Sequence, residues 1–296
     1  MTVRVLGILL TAGAVLLPAP ARAHHHRLQA GGFEGLILAL APDPVQPATL
    51  YAGVFGQGVF KTTDAGEIWT DSSAGLPDLA VRALLVDPAD SRRLFAGTDS
   101  GVAVSTDGGR QWREAGLSAR AVRVLLGEPA GTLYAGTEDG LSATDDAGRT
   151  WREENLGLAA RDLRALARDP RTGTLYAGAF GGLFRRPPGR TEWEPAAEDL
   201  PDLNIRALAV DPAGSLYAGT AGAGVFRSDD GGRTWRAASR GLAHPVVLAL
   251  LVGPGPGHGR EAGRGDLLHP GGPGLPGPPL GGAGDGLRPG GRPRVG

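Results

Sequence analysis

Four strings of one pattern hold the most regularly spaced polar side chains of the chain: Thr62-x-Asp64-x-Gly66-x-x-Trp69, Ser105-x-Asp107-x-Gly109-x-x-Trp112, Thr144-x-Asp146-x-Gly148-x-x-Trp151 and Ser228-x-Asp230-x-Gly232-x-x-Trp235. A hydroxyl and a carboxylate two residues apart can accept backbone N–H groups within a turn, the glycine supplies a positive φ, and the indole packs beneath. The pattern therefore reads as a folding device. Four equivalent aspartates on the rim of repeated units do not converge on one substrate. In another unit Arg186-Pro187-Pro188-Gly189-Arg190 takes the place of the polar turn, while Trp193 remains.

A second row is basic. Arg82, Arg123, Arg164 and Arg206 recur at one position of successive units, replaced by Leu38 before them and Leu248 after them. Guanidinium is a planar fork of donors suited to carboxylates and other anions. Gathered around a common axis, the four would form an anion-reading patch; alternatively each is neutralised within its unit, by Asp87, Glu128, Asp169 or Asp211. His24 and His26 could chelate a metal together with a new amino terminus if the chain is cut after Ala23. A polar linker is the preferred reading there, and no metal or cofactor is expected.

These residues must be positioned by a repeat. Leu50-Tyr51-Ala52-Gly53, Leu94-Phe95-Ala96-Gly97, Leu133-Tyr134-Ala135-Gly136, Leu175-Tyr176-Ala177-Gly178 and Leu216-Tyr217-Ala218-Gly219 each lead to one of the five tryptophans, at a period of about 42 residues. That is the period of a four-stranded propeller blade. Each unit divides into four short runs: a nearly continuous apolar run such as Val81 to Val86, stopped by Asp87-Pro88; the Leu-Tyr-Ala-Gly run; a run joined to it by a tight turn; and a short run beginning at the tryptophan. One such sheet cannot bury both faces, so like sheets must flank it. The expectation is an all-β protein: a β-propeller of four-stranded blades, five complete plus a partial sixth begun by Val246 to Val252, incompletely closed. The first run should line the axis and the polar turns should sit at the periphery.

The repeated strings resemble the bacterial neuraminidase repeat, or Asp-box, β-propeller superfamily, and in particular sortilin-type and photosystem II assembly-factor-like propellers, over residues 33 to about 252. That superfamily includes sialidases, xyloglucanases and non-enzymatic binding proteins, so the resemblance implies a fold more than an activity. A sialidase resemblance would imply a tyrosine nucleophile, a pocket acid and an arginine cluster. The only tyrosines are Tyr51, Tyr134, Tyr176 and Tyr217, all at one repeat position that Phe95 shares, and they read as structural. Glycoside hydrolysis needs two facing carboxylates at controlled separation, and no pair stands out. Catalytic residues are therefore not assigned, and the reading leans away from an enzyme.

Charge excludes one further class. Thirty basic and 31 acidic side chains give a net charge of −1, without the electrostatic attraction of a nucleic-acid binder. Residues 1–23 read as a secretory signal peptide, with Arg4, an apolar run from Val5 to Leu17 and a small-x-small end at Ala21-Arg22-Ala23. A linker is expected over 24–32 and the propeller over 33–252. Residues 253–296 read as a disordered Gly/Pro-rich tail, one blade in length and consistent with a frameshifted blade. The expected product is secreted or periplasmic, with no membrane span after signal removal. Its expected role is a scaffold for a protein or glycan partner in the cell envelope or outside, through loops and the axial channel. The alternatives are a glycoside hydrolase or sialidase-like enzyme, and a decayed fragment. The sequence contains no cysteine, so stability rests on packing alone.

Overall fold

The computed structural model describes residues 3–5 and 35–252. The expected linker, His24 and His26, the tail 253–296 and nearly all of the expected signal peptide lie outside the described residues. Within them the protein is all-β, with five four-stranded antiparallel sheets of meander order and one two-stranded sheet.

Blade one comprises Ile37–Pro42, Leu50–Val54, Gly58–Thr62 and Thr70–Asp71. Blade two comprises Val81–Asp87, Asp90–Thr98, Gly101–Ser105 and Arg113–Glu114. Blade three is built of Val122–Gly127, Leu133–Thr137, Gly140–Thr144 and Arg152–Glu153; blade four of Leu163–Arg168, Leu175–Ala179, Gly182–Arg186 and Glu194–Pro195; blade five of Ile205–Val210, Leu216–Thr220, Val225–Ser228 and Arg236–Ala237. The sixth unit contributes Leu250–Val252, shorter than the run from Val246 that its apolar residues suggested, and it pairs antiparallel with Val3–Val5. Among the described residues each first strand packs on that of the next blade and Leu250–Val252 packs on blade five, with no corresponding packing of Leu250–Val252 on blade one, so the ring is open.

The first strands of neighbouring blades pack against one another and form the innermost layer. Close approach there explains the glycine of the Leu-Tyr-Ala-Gly string. A Cβ on Gly97 would stand 2.7 Å from a methyl of Val122, one on Gly178 2.5 Å from Ile205, and one on Gly219 2.5 Å from Val247, each in the next unit. Glycine lets the second strand of one blade receive the first strand of the following blade. Between these layers lie the apolar clusters, for example Ala39, Tyr51, Val81, Leu84, Leu94 and Trp112 across blades one and two.

Each first strand carries a bulge at one position. Pairing runs from Val81↔Thr98 to Ala83↔Gly97, from Val122↔Thr137 to Val124↔Gly136, from Leu163↔Ala179 to Ala165↔Gly178, and from Ile205↔Thr220 to Ala207↔Gly219. The skipped residues are Arg82, Arg123, Arg164 and Arg206, and in blade one, where pairing runs from Ile37↔Val54 to Ala39↔Gly53, Leu38. A bulge inserts one unpaired residue and re-aims its side chain out of the alternation of the strand.

Antiparallel order gives the propeller two unlike faces. One carries the turns between second and third strands and the segments leading into first strands. The other carries the turns between first and second strands together with the tryptophan-bearing turns.

Candidate functional site

The four bulge arginines sit where the first strands begin, on the face of the second-to-third-strand turns. Arg82 is ion-paired to Asp99 in its own blade's turn and lies over the Phe55 ring at 5.0 Å. Arg123 reaches Glu138 of its own turn at 3.2 Å and Asp162 of the next lead-in at 3.2 Å. Arg164 holds the other oxygen of Asp162 at 2.5 Å. Arg206 makes no ion pair among the described residues; burial and the Arg164 guanidinium lower its pKa, and Asp162 opposes them. The row thus runs from neutralised at Arg82 to uncompensated at Arg206. The Nε atoms of Arg164 and Arg206 and the Oδ1 atom of Asn204 are buried without a hydrogen-bond partner.

The strand-end acids are not the partners of this row. Asp87 pairs with Arg93 at 3.3 Å and Glu128 with Arg168 at 3.0 Å, while Asp169 and Asp211 accept the backbone N–H groups of Arg171 and Ser215. Geometry requires this: five residues of extended strand separate Arg82 from Asp87 by roughly 16 Å. The carboxylates that do meet the row come from turns and lead-ins. Asp162 could have been found in the sequence, because it stands two residues before Arg164 and alternate strand residues share a face. Asp99 and Glu138 could not, since only the bulge turns the arginines toward the hairpin turns.

Apolar side chains border the same face. Phe180 in the blade-four turn is 60% exposed and Leu203 in the following lead-in 42%, with Phe55 and Leu79 in the corresponding places of blades one and two. Phe55 bridges to Ala80 and Phe180 to Asn204, so each aromatic turn is fastened to the segment that carries the next arginine.

The tryptophan-bearing turns occupy the opposite face. In blade three the Thr144 hydroxyl donates to Asp146 at 2.8 Å and accepts Gly148 N–H at 3.1 Å, while Asp146 accepts the N–H groups of Arg149 and Thr150 at 2.9 Å. Asp64, Asp107 and Asp230 repeat the arrangement. The hydrogen bonds lower the aspartate pKa values, led by the Thr62 hydroxyl at Asp64 and by the N–H of Gln111, Thr150 and Thr234 at Asp107, Asp146 and Asp230. Each indole N–H from blade two onward donates to the preceding blade: Trp112 to the Ser72 carbonyl at 2.7 Å, Trp151 to Ala115 at 2.8 Å, Trp193 to Glu154 at 2.9 Å and Trp235 to Ala196 at 2.9 Å. Trp69, in blade one, donates to its own turn at Gly66. All four tyrosines are buried, and burial pushes the Tyr51 hydroxyl up to about 12.

Among the described residues no group of three or more His, Asp or Glu side chains is placed to hold a metal ion, and no helix is long and apolar enough to cross a membrane.

No protein-family model matches the chain, and no curated protein sequence does. Solved structures share its fold. An ancestral GH74 enzyme superposes with a TM-score of 0.63 at 20% identity, over 79% of this chain and 34% of that one. YCF48 bound to D1 peptide gives 0.55 at 20% identity, over 69% of this chain and 68% of that one. The extracellular domain of the putative hybrid two-component system BT3049 from B. thetaiotaomicron gives 0.56 at 18% identity, over 68% and 28%. The common element is the β-propeller. This chain spans only about a third of the length of the GH74 enzymes, 38% for that of Niastella koreensis.

Proposed function

We propose that the protein is an exported Asp-box propeller that acts as a binding scaffold, its arginine face taking an acidic, partly apolar segment of a protein partner in or beyond the cell envelope. The observation that carries this reading is the bulge beneath every arginine. All five blades interrupt strand pairing at this one position, and in four of them the skipped residue is an arginine, which brings guanidinium groups to one face; bulges commonly re-aim side chains beside functional sites. Arginine and aromatic side chains are also the residues that dominate protein interfaces. Arg206, with Phe180 and Leu203 near it, is the expected anchor for a partner carboxylate. The propeller fold serves both enzymes and a peptide binder among the similar structures. The hydrolase alternative needs an available carboxylate pair; on this face Asp99, Glu138 and Asp162 are each held by arginine, and Asp78 and Asp202, without an ion pair among the described residues, stand in the lead-ins of blades two and five, three blades apart.

The test is fluorescence anisotropy with labelled peptides rich in Asp, Glu, Phe and Leu against the wild type, Arg164→Ala and Arg206→Ala. Saturable binding that weakens about tenfold with loss of one charge-assisted contact, and falls as salt is raised, is expected. Equal affinity in all three proteins contradicts the proposal.

A further inference from the structure

Two repeat positions supply the carboxylates that ion-pair with the arginine row, and blades four and five depart from blades two and three at both. The residue directly after the second strand is Asp99 in blade two, Glu138 in blade three, Phe180 in blade four and Ala221 in blade five. The residue two before the arginine is Ala80, Ala121, Asp162 and Asn204 in the same order. Blades two and three therefore carry an acid in the hairpin turn, blade four carries one in the lead-in, and blade five has none at either place. That leaves Arg206 without an ion pair among the described residues.

Asp162 does more than replace the turn acid that blade four lacks. Its Oδ1 atom stands 3.2 Å from Nε of Arg123 and its Oδ2 atom 2.5 Å from Nη2 of Arg164. Arg123 also has Glu138 at 3.2 Å, whereas Arg164 has no other acid among the described residues. The lead-in acids of blades two and five are held differently. Asp78 and Asp202 accept the N–H groups of Ala80 and Asn204 at 2.9 Å, and the second oxygen of Asp78 takes the Ser100 hydroxyl at 2.8 Å. Asp162 thus alone puts both oxygens on guanidinium groups of two blades, as a bound carboxylate would. Its grip is incomplete: Oδ1 of Asp162 and Nε of Arg123 and of Arg164 are buried without a hydrogen-bond partner. The Asp162 side chain is 29% exposed, and a partly exposed ion pair adds little net stability, so a second carboxylate can compete for Arg164. Arg164 is also the neighbour whose charge bears on Arg206. We infer, resting on the reading of this face as the acceptor of an acidic segment, that Asp162 closes a second carboxylate site at Arg164 and so limits the partner to one engaged acid, at Arg206.

Fluorescence anisotropy on the full chain tests this with labelled Phe- and Leu-containing peptides that carry one Asp, or two Asp at a series of spacings. Asp162→Ala and Asp162→Asn each install a residue that another blade has at this position, Ala80 and Ala121 or Asn204, so both should fold, as a thermal melt would verify. Wild type should bind the one-acid and two-acid peptides within about twofold of each other. In both variants at least one two-acid spacing should bind about tenfold tighter than to wild type, with a steeper salt dependence, while the one-acid peptide changes by about twofold or less. Adding Arg164→Ala to Asp162→Ala should abolish that gain. Asp202→Asn, which removes an equal charge from the same face without releasing an arginine, should stay within about twofold of wild type. No gain for any two-acid peptide, a gain that survives loss of Arg164, or an equal gain in Asp202→Asn overturns the inference. If wild-type binding weakens in Arg206→Ala yet nothing is gained on removing Asp162, the inference alone fails; if no peptide binds any of the proteins, the reading of the face fails with it.

Discussion

At the residue scale, the indoles are bolts between blades. Trp112 is 4% exposed and its N–H satisfies a carbonyl 40 residues earlier. Truncating Trp112 to Ala should cost about 3–5 kcal/mol as a core deletion. Trp112→Phe retains most of the ring and orphans the Ser72 carbonyl, and should cost about 1–3 kcal/mol. Urea unfolding of both variants checks the order: no loss in Trp112→Phe would mean that the hydrogen bond contributes nothing, and equal losses would mean that packing of the ring contributes nothing. The turn aspartates make a second prediction. Hydrogen bonding holds Asp146 below the ordinary carboxylate pKa, so the unfolded chain binds its proton first. The contribution is full above about pH 4, the unfolded value, and is lost as pH falls toward the depressed folded value. Melting temperature should therefore fall more steeply below that pH in the wild type than in Asp146→Asn; parallel curves would contradict the assignment. The sequence disclosed both residue types through their spacing. It did not disclose the partner of each indole, because a contact with the preceding repeat leaves no mark in the spacing within one repeat.

At the scale of the strand and turn, the repeat was legible almost in full. Apolar runs ended by Asp-Pro, and hairpins announced by glycine, gave four strands per unit, and the structure has them. The bulge was not legible, since an extra unpaired residue in Val81-Arg82-Ala83 looks like ordinary alternation until its partner strand is present. That is why the arginines could be put in a row from sequence while their acidic partners were sought at the wrong end of the strand. The Leu-Tyr-Ala-Gly glycine has a packing duty that can be tested. Gly178→Ala drives a methyl to 2.5 Å from Ile205 of the next blade, and overpacking of this kind should destabilise by about 1–3 kcal/mol. Gly189→Ala, in the open turn with nothing near its Cβ but φ at 76°, provides a comparison in which the cost is purely conformational. At the sixth unit, cleavage after Ala23 would take away Val3–Val5 and leave Leu250–Val252 with an unpaired edge, which attracts another strand.

At the scale of the molecule, five blades and a strand give an open propeller with two chemically different faces. The arginine face is cationic where Arg206 stands and apolar at Phe180 and Leu203; the other is a rim of polar turns, replaced at blade four by the Pro187–Arg190 turn, with clefts on both sides of that blade. The first was partly visible in the sequence as four arginines in phase, the second as four turns of one pattern and one departure from it. Hydrogen–deuterium exchange on the full chain, with and without an acidic Phe- and Leu-containing peptide, reads directly whether the arginine face takes the peptide. Slowed exchange is expected in the turns near residues 138–140 and 180–182 and in the lead-ins 160–163 and 202–206, with none added in the tryptophan-bearing turns. Protection confined to those turns, or absent from the arginine face at saturating peptide, would contradict it.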